Sequence, residues 1–214
     1  MVERPLRIVI TGAAHGVGRL CALSLGDWQP ELILCDHDGP GLSAVSNSLR
    51  CRGRFCDVAS EASVEIFAAD LLDRFDSIDV LIHCAGSGCI RALGMWRVAR
   101  ALLPALRRAP GEALIVNVAA PPSKPSVGHD FPYASSADAF AGLNAALVNA
   151  TRGSNIRVES VPALDHESQP ARPLHPSFCV SEVRALVTET FGLPPLSAAE
   201  LGTSASASRR CAGR

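Results

Sequence analysis

The stretch "IVITGAAHGVGR" places Gly12, Gly16 and Gly18 between an apolar run and a helix-like segment. Glycines at that spacing suit a phosphate cradle. Gly12 permits a tight turn, Gly16 lets the chain approach a pyrophosphate, and Gly18 lets a helix pack closely on a sheet. The following helix N-terminus offers N–H groups and a positive dipole to phosphates, with His15 and Val17 beside them. Asp36 ends the next apolar run, 24 residues beyond Gly12. A carboxylate there can accept from both hydroxyls of an adenosine ribose and repels a 2′-phosphate, which favours NAD over NADP. A protonated His15 argues the other way, and the plainer alternative for Asp36 is a solvated acid in the turn-rich "DHDGPG". The third chemical group is Tyr133, the single tyrosine in 214 residues, which opens a small-residue run after a Pro-rich loop. A phenol in a cleft can donate a proton to a carbonyl oxygen.

These groups need a scaffold. The apolar runs at 6–10, 31–35, 79–85, 113–119 and 156–161 are continuous rather than alternating. Such runs mark a parallel sheet covered on both faces. A shorter candidate spans 52–58, and 199–205 could form a last strand, giving about seven. Helix-like segments fall at 17–26, 40–50, 61–75, 92–108, 134–151 and 180–191. The alternation predicts one doubly wound, three-layer α/β domain over 1–203 with right-handed crossovers. The Pro-rich stretch 162–176 reads as a surface loop and 204–214 as a disordered tail.

Bulk properties narrow the function. With 48% apolar and 19% charged residues the chain is globular, and its net charge of −1 gives no electrostatic reason to bind nucleic acid or an anionic membrane. No apolar run approaches the roughly 20 residues that span a bilayer, and the first residues lack a signal-like apolar stretch. A cytoplasmic protein is expected. The eight cysteines contain no CxxC pair, and Cys51/Cys56 and Cys84/Cys89 are spaced too loosely for a zinc knuckle. They are expected to be free thiols, with no metal.

In order and spacing, "TGAAHGVG", Asp36, "CDV" (56–58), "HCAG" (83–86), "IVNVAA" (115–120) and Tyr133 resemble the short-chain dehydrogenases/reductases. The resemblance runs over roughly 1–165, with a weaker echo at 178–203. It implies a Rossmann-type fold and an NAD(P)-dependent oxidoreductase acting on a carbonyl or alcohol. It implies that Asp57 and Val58 hold the adenine and that Cys84, Ala85, Gly86 and Pro162 line the cofactor. His83 stands where the family has an amide and is expected to be a structural substitute. The resemblance also implies a homodimer or homotetramer built on the helices at 92–108 and 134–151.

The family's chemistry uses Asn, Ser, Tyr and Lys, and only Tyr133 matches. Arg91, Ala120 and Ala137 occupy the other three positions. Losing a hydroxyl that polarises the substrate oxygen typically costs about 10²–10³ in rate. Without the lysine, a phenol near its ordinary pKa of about 10 is a poor base at neutral pH, by roughly 4 kcal/mol. A neutral phenol still donates, so carbonyl reduction suffers less than alcohol oxidation. Ser123, Lys124, Ser126, His129 and Arg91 are possible substitutes, each with an exposed loop or helix end as the alternative. Only five residues lead from Gly86 to Arg91, so the cleft should be shallow. Three functions stay open: a divergent oxidoreductase, a non-catalytic dinucleotide-binding relative that pairs with an active homologue, and a non-redox enzyme on the same fold.

Overall fold

A computed structural model describes residues 4–86, 88–119, 131–162 and 176–194. Strands and helices alternate: β1 (Arg7–Thr11), α1 (Gly16–Leu25), β2 (Glu31–Asp36), α2 (Gly39–Leu49), β3 (Arg52–Phe55), α3 (Glu61–Arg74) and β4 (Val80–His83) form the first part. Then come α4 (Gly88–Leu106), β5 (Ala113–Ala119), α5 (Phe131–Thr151), β6 (Ile156–Pro162) and α6 (Ser177–Phe191). The strands form one parallel sheet in the order β3-β2-β1-β4-β5-β6. This is the doubly wound α/β architecture expected from the sequence, with six strands among the described residues. The candidate strand 199–205, the tail and most of the Pro-rich stretch lie outside them.

The pleat explains why the runs are continuous. Ile8 and Ile10 point to one face with Leu32, Leu34, Ile82 and Val116, where they meet α1, α2 and α6. Val9, Ile33, Leu81 and Ile115 point to the other face, against α3, α4 and α5. Both faces are buried, so neither carries a polar stripe. A fully buried Ile or Leu contributes roughly 1.5–3 kcal/mol each. Caps set the helix starts. Asp38 accepts from the Gly41 amide ahead of α2, and Ser60 accepts from the Ser63 amide ahead of α3.

Several boundaries differ from the sequence reading, among them the starts of α5 and α6. β3 ends at Phe55 rather than 58, because the Asp57 carboxylate accepts from the Ala59 amide at 2.9 Å and folds the chain into a turn. β4 ends at His83 rather than 85, since the amides of Cys84 and Ala85 both turn to Thr11 Oγ1 at 3.2 Å. α4 begins at Gly88, four residues before the expected 92. Its extra turn brings Arg91 over the end of the sheet. Among the described residues no helix is long and apolar enough to cross a membrane.

Candidate functional site

The carboxyl ends of β1 and β4 diverge at the point where the strand order reverses, and a crevice opens there. The threonine of "ITG" ties its two walls together. Thr11 Oγ1 accepts from the Cys84 and Ala85 amides, so its own proton goes to His83 Nδ1, 3.0 Å away. The imidazole proton therefore sits on Nε2. Burial pushes the His83 pKa down to about 3, with the Arg91 guanidinium adding to the effect and the Arg91 backbone opposing it. His83 is neutral at any working pH and serves as a strut, as expected.

The glycine loop has almost no slack. Gly12 sits at φ +68°, and a Cβ on it would lie 2.8 Å from the Ala85 Cα. A Cβ on Gly18 would collide with the Gly12 carbonyl oxygen. Gly16, at φ +50°, has nothing within 4 Å of where its Cβ would be. The loop is thus packed hard against β4 on one side and open on the other. No side chain caps α1, which leaves its first-turn amides for an anionic ligand.

That open side faces a cleft of about 610 Å³. Gly12, His15, Gly16, Val17, Gly18, Asp36, Asp57, Val58, Cys84, Ala85 and Gly86, all named from the sequence, line it together. Pro162 ends β6 beside Ala119 of β5. Asp36 is only 6% exposed. Its Oδ2 accepts from the Ala14 amide and its Oδ1 from the Asp38 amide, both at 3.0 Å. This is a fastened carboxylate, not the solvated turn acid. Arg97 of α4 donates to the Ala59 carbonyl at 2.8 Å and holds the 57–59 turn that walls the far end.

Arg91 is more than an exposed helix end. Its Nε donates to the Gly86 carbonyl (3.0 Å) and a terminal nitrogen to the Val118 carbonyl (3.4 Å). It bridges the ends of β4 and β5, and among the described residues it is the one arginine lining the cleft. On the other side of β5, Asn117 donates to Asn144 Oδ1 of α5 at 2.8 Å. That bond pins α5 against the sheet, with Tyr133 in its first turn. Ala137 lies one turn further on. Ala120, Ser123, Lys124, Ser126 and His129 lie outside the described residues. The structure adds Thr11, His37 and Cys56 to the cleft region. The sequence offered a signal for His37, since it directly follows Asp36, but none for Thr11 beyond its place in "ITG".

Cys21, Cys35, Cys51, Cys56 and Cys84 form no disulfide. Cys21 and Cys84 hydrogen-bond beneath the loop, and this contact with burial pushes the Cys21 thiol up. Among the described residues no three His, Cys, Asp or Glu side chains are placed to hold a metal.

The family model for short chain dehydrogenase matches residues 7–165. The chain belongs to the short-chain dehydrogenase family. A ketoacyl-reductase-like protein of Streptomyces coelicolor is 30% identical over 164 residues, 65% of this chain and 62% of that one. The chain matches about three fifths of the length of this relative and of two other curated relatives. In fold it is similar to an alcohol dehydrogenase from Thermococcus sibiricus complexed with 5-hydroxy-NADP, at TM-score 0.71 and 24% identity, covering 88% of this chain and 91% of that one. It is equally similar to a short-chain dehydrogenase/reductase from Burkholderia phymatum in complex with NAD, at TM-score 0.73 and 22% identity, covering 89% and 88%.

Proposed function

We propose that the protein is a slow NAD(P)(H)-dependent reductase of a carbonyl substrate, with Tyr133 as proton donor. One observation carries this reading: a glycine loop closed on β4 and open to a cleft, with the fixed Asp36 carboxylate at its rim. The residues present fit a dinucleotide. The amides of Gly16, Val17 and Gly18 would hold the pyrophosphate. Asp36 would accept from the adenosine ribose hydroxyls, which favours NAD(H), and the Asp57–Val58 turn would flank the adenine. When bound, the dinucleotide supplies hydride-transfer chemistry.

The chain's own contribution at the reaction centre is then a proton. A neutral phenol can donate it to a carbonyl oxygen without first being ionised. Ala120 offers no hydroxyl to polarise that oxygen, and Ala137 no ammonium to favour the phenolate. Arg91 brings a permanent charge to the cleft, held by the Gly86 and Val118 carbonyls. With NADH saturating, Tyr133→Phe should lower the rate on simple ketones by about 10² or more, the usual size of a proton-donor contribution. A rate unmoved by Tyr133→Phe would overturn the assigned role. The two alanines favour a second reading, a dinucleotide-binding subunit without turnover that pairs with an active homologue. It predicts tight NADH binding and no ketone reduction in either protein.

The reading includes self-association. Leu93 of α4 is 45% exposed and Val148 of α5 41% exposed. Around Val148, Ala141, Gly142, Ala145 and Ala146 leave a smooth, exposed helix face. A homodimer or homotetramer would cover it. Light scattering at micromolar concentration should return a multiple of the chain mass, which Ala141→Arg reduces. A monomeric mass in the unmodified protein would overturn this assembly.

A further inference from the structure

The rim of the ribose end carries two imidazole–carboxylate pairs. His15 Nε2 lies 2.6 Å from Asp38 Oδ2 and joins the glycine loop to the cap of α2. His37 Nδ1 lies 3.2 Å from Asp36 Oδ1. The histidine side chains are 69% and 78% exposed, so both meet solvent and any group arriving at the rim. The carboxylates are held from behind. Asp36 takes the Ala14 and Asp38 amides, and Asp38 takes the Gly41 amide at 3.2 Å. The Gly41 amide first, and then His15, hold the Asp38 carboxyl below the ordinary carboxylate range.

Resting on the dinucleotide reading above, we propose that His15 and His37 make the choice between the two dinucleotides pH-dependent. With both imidazoles neutral, two fixed carboxylates confront the 2′-phosphate of NADP(H). With both protonated, the same four side chains sum to zero. Histidine is the side chain whose charge ordinarily changes between pH 5 and 8. The 2′-phosphorylated dinucleotide therefore gains affinity relative to the phosphate-free one as the pH falls. The other charged groups near the rim are Asp57, across the cleft from β3, and Arg19, exposed one turn beyond His15 on α1. The first turn of α2 carries no acidic residue. Cys56 stands behind the rim with its thiol hydrogen-bonded to Cys35 and Ser63.

A phosphate monoester also loses charge near pH 6, so the test must separate the two titrations. NADH and NADPH affinities are measured by fluorescence titration at pH 6.0 and 8.5, in the unmodified protein and in the His15→Asn, His37→Asn double variant. Taking the ratio Kd(NADPH)/Kd(NADH) cancels losses common to both ligands. In the unmodified protein the ratio should fall at least about fivefold from pH 8.5 to 6.0, as expected for charges a few ångströms from the phosphate. In the double variant, where only the phosphate titrates, the fall should be clearly smaller than in the unmodified protein. A ratio independent of pH in the unmodified protein overturns the proposal, as does an equal fall in the double variant. Calorimetry at pH 6.5 in two buffers of different ionisation enthalpy supplies a second check: NADPH binding should take up more protons in the unmodified protein than in the double variant, and equal uptake counts against the proposal. Loss of NADH binding at every pH would overturn the dinucleotide reading itself, whereas intact NADH binding with a flat ratio sinks only this inference.

Discussion

Ala120→Ser combined with Ala137→Lys should raise the rate of NADH-dependent ketone reduction by at least about 10², because each substitution restores a group of known kinetic weight. Position 137 lies four residues after Tyr133 on the continuous helix α5, one turn along on the same side. A lysine there would lower the phenol pKa and, with a dinucleotide bound, would reach toward its nicotinamide ribose. A serine at 120, just beyond the end of β5, adds the donor that fixes the substrate oxygen. Initial rates at saturating NADH, followed by absorbance, measure the effect. Most of the gain should disappear when Tyr133→Phe is added, since the lysine acts through the phenol and the serine holds the oxygen that the phenol protonates. A double variant that binds NADH and remains inert would instead support the non-catalytic subunit.

Gly18→Ala should weaken NADH binding at least about tenfold. The added Cβ collides with the Gly12 carbonyl and comes within 3.2 Å of the Cys84 Cβ. Overpacking of this kind typically costs about 1–3 kcal/mol, and every 1.4 kcal/mol is tenfold in affinity. Here the strain falls on the loop whose amides would meet the phosphates. It cannot relax toward β4, where Gly12 already abuts Ala85. Gly111→Ala is the control, because its Cβ meets nothing within 4 Å and the residue is remote from the cleft. It should bind NADH as the unmodified protein does. Equal affinity in the Gly18→Ala protein would mean that the loop does not set the pyrophosphate geometry.

What the sequence made legible was local. Ile8–Ile10, Leu32–Leu34 and Leu114–Val116 announce buried parallel strands because both neighbours of each residue must be apolar. The loop glycines announce themselves by lying between a strand and a helix. The cleft residues followed from that frame, and eleven of them do line one space. Contacts between segments distant in sequence were not legible. Nothing in "GAAHG" says that His15 will reach Asp38, 23 residues on, or that Asp36 will fasten the Ala14 amide. Arg91 was expected as a candidate substitute or an exposed helix end. Its two hydrogen bonds to the Gly86 and Val118 carbonyls depend on α4 starting a turn early, which a Gly-Ser-Gly-Cys stretch does not signal. The reaction centre is the other shortfall. Ala120 lies outside the described residues, so its relation to Tyr133 rests on register alone.

The most direct measurement is a titration of the unmodified protein with NADH and NADPH at pH 7.5, read by the rise in nicotinamide fluorescence. A retained dinucleotide cleft beside an eroded reaction centre predicts one NADH per chain, with a dissociation constant in the micromolar range usual for such ligands, and weaker binding of NADPH. No binding of either dinucleotide up to millimolar concentration would contradict it.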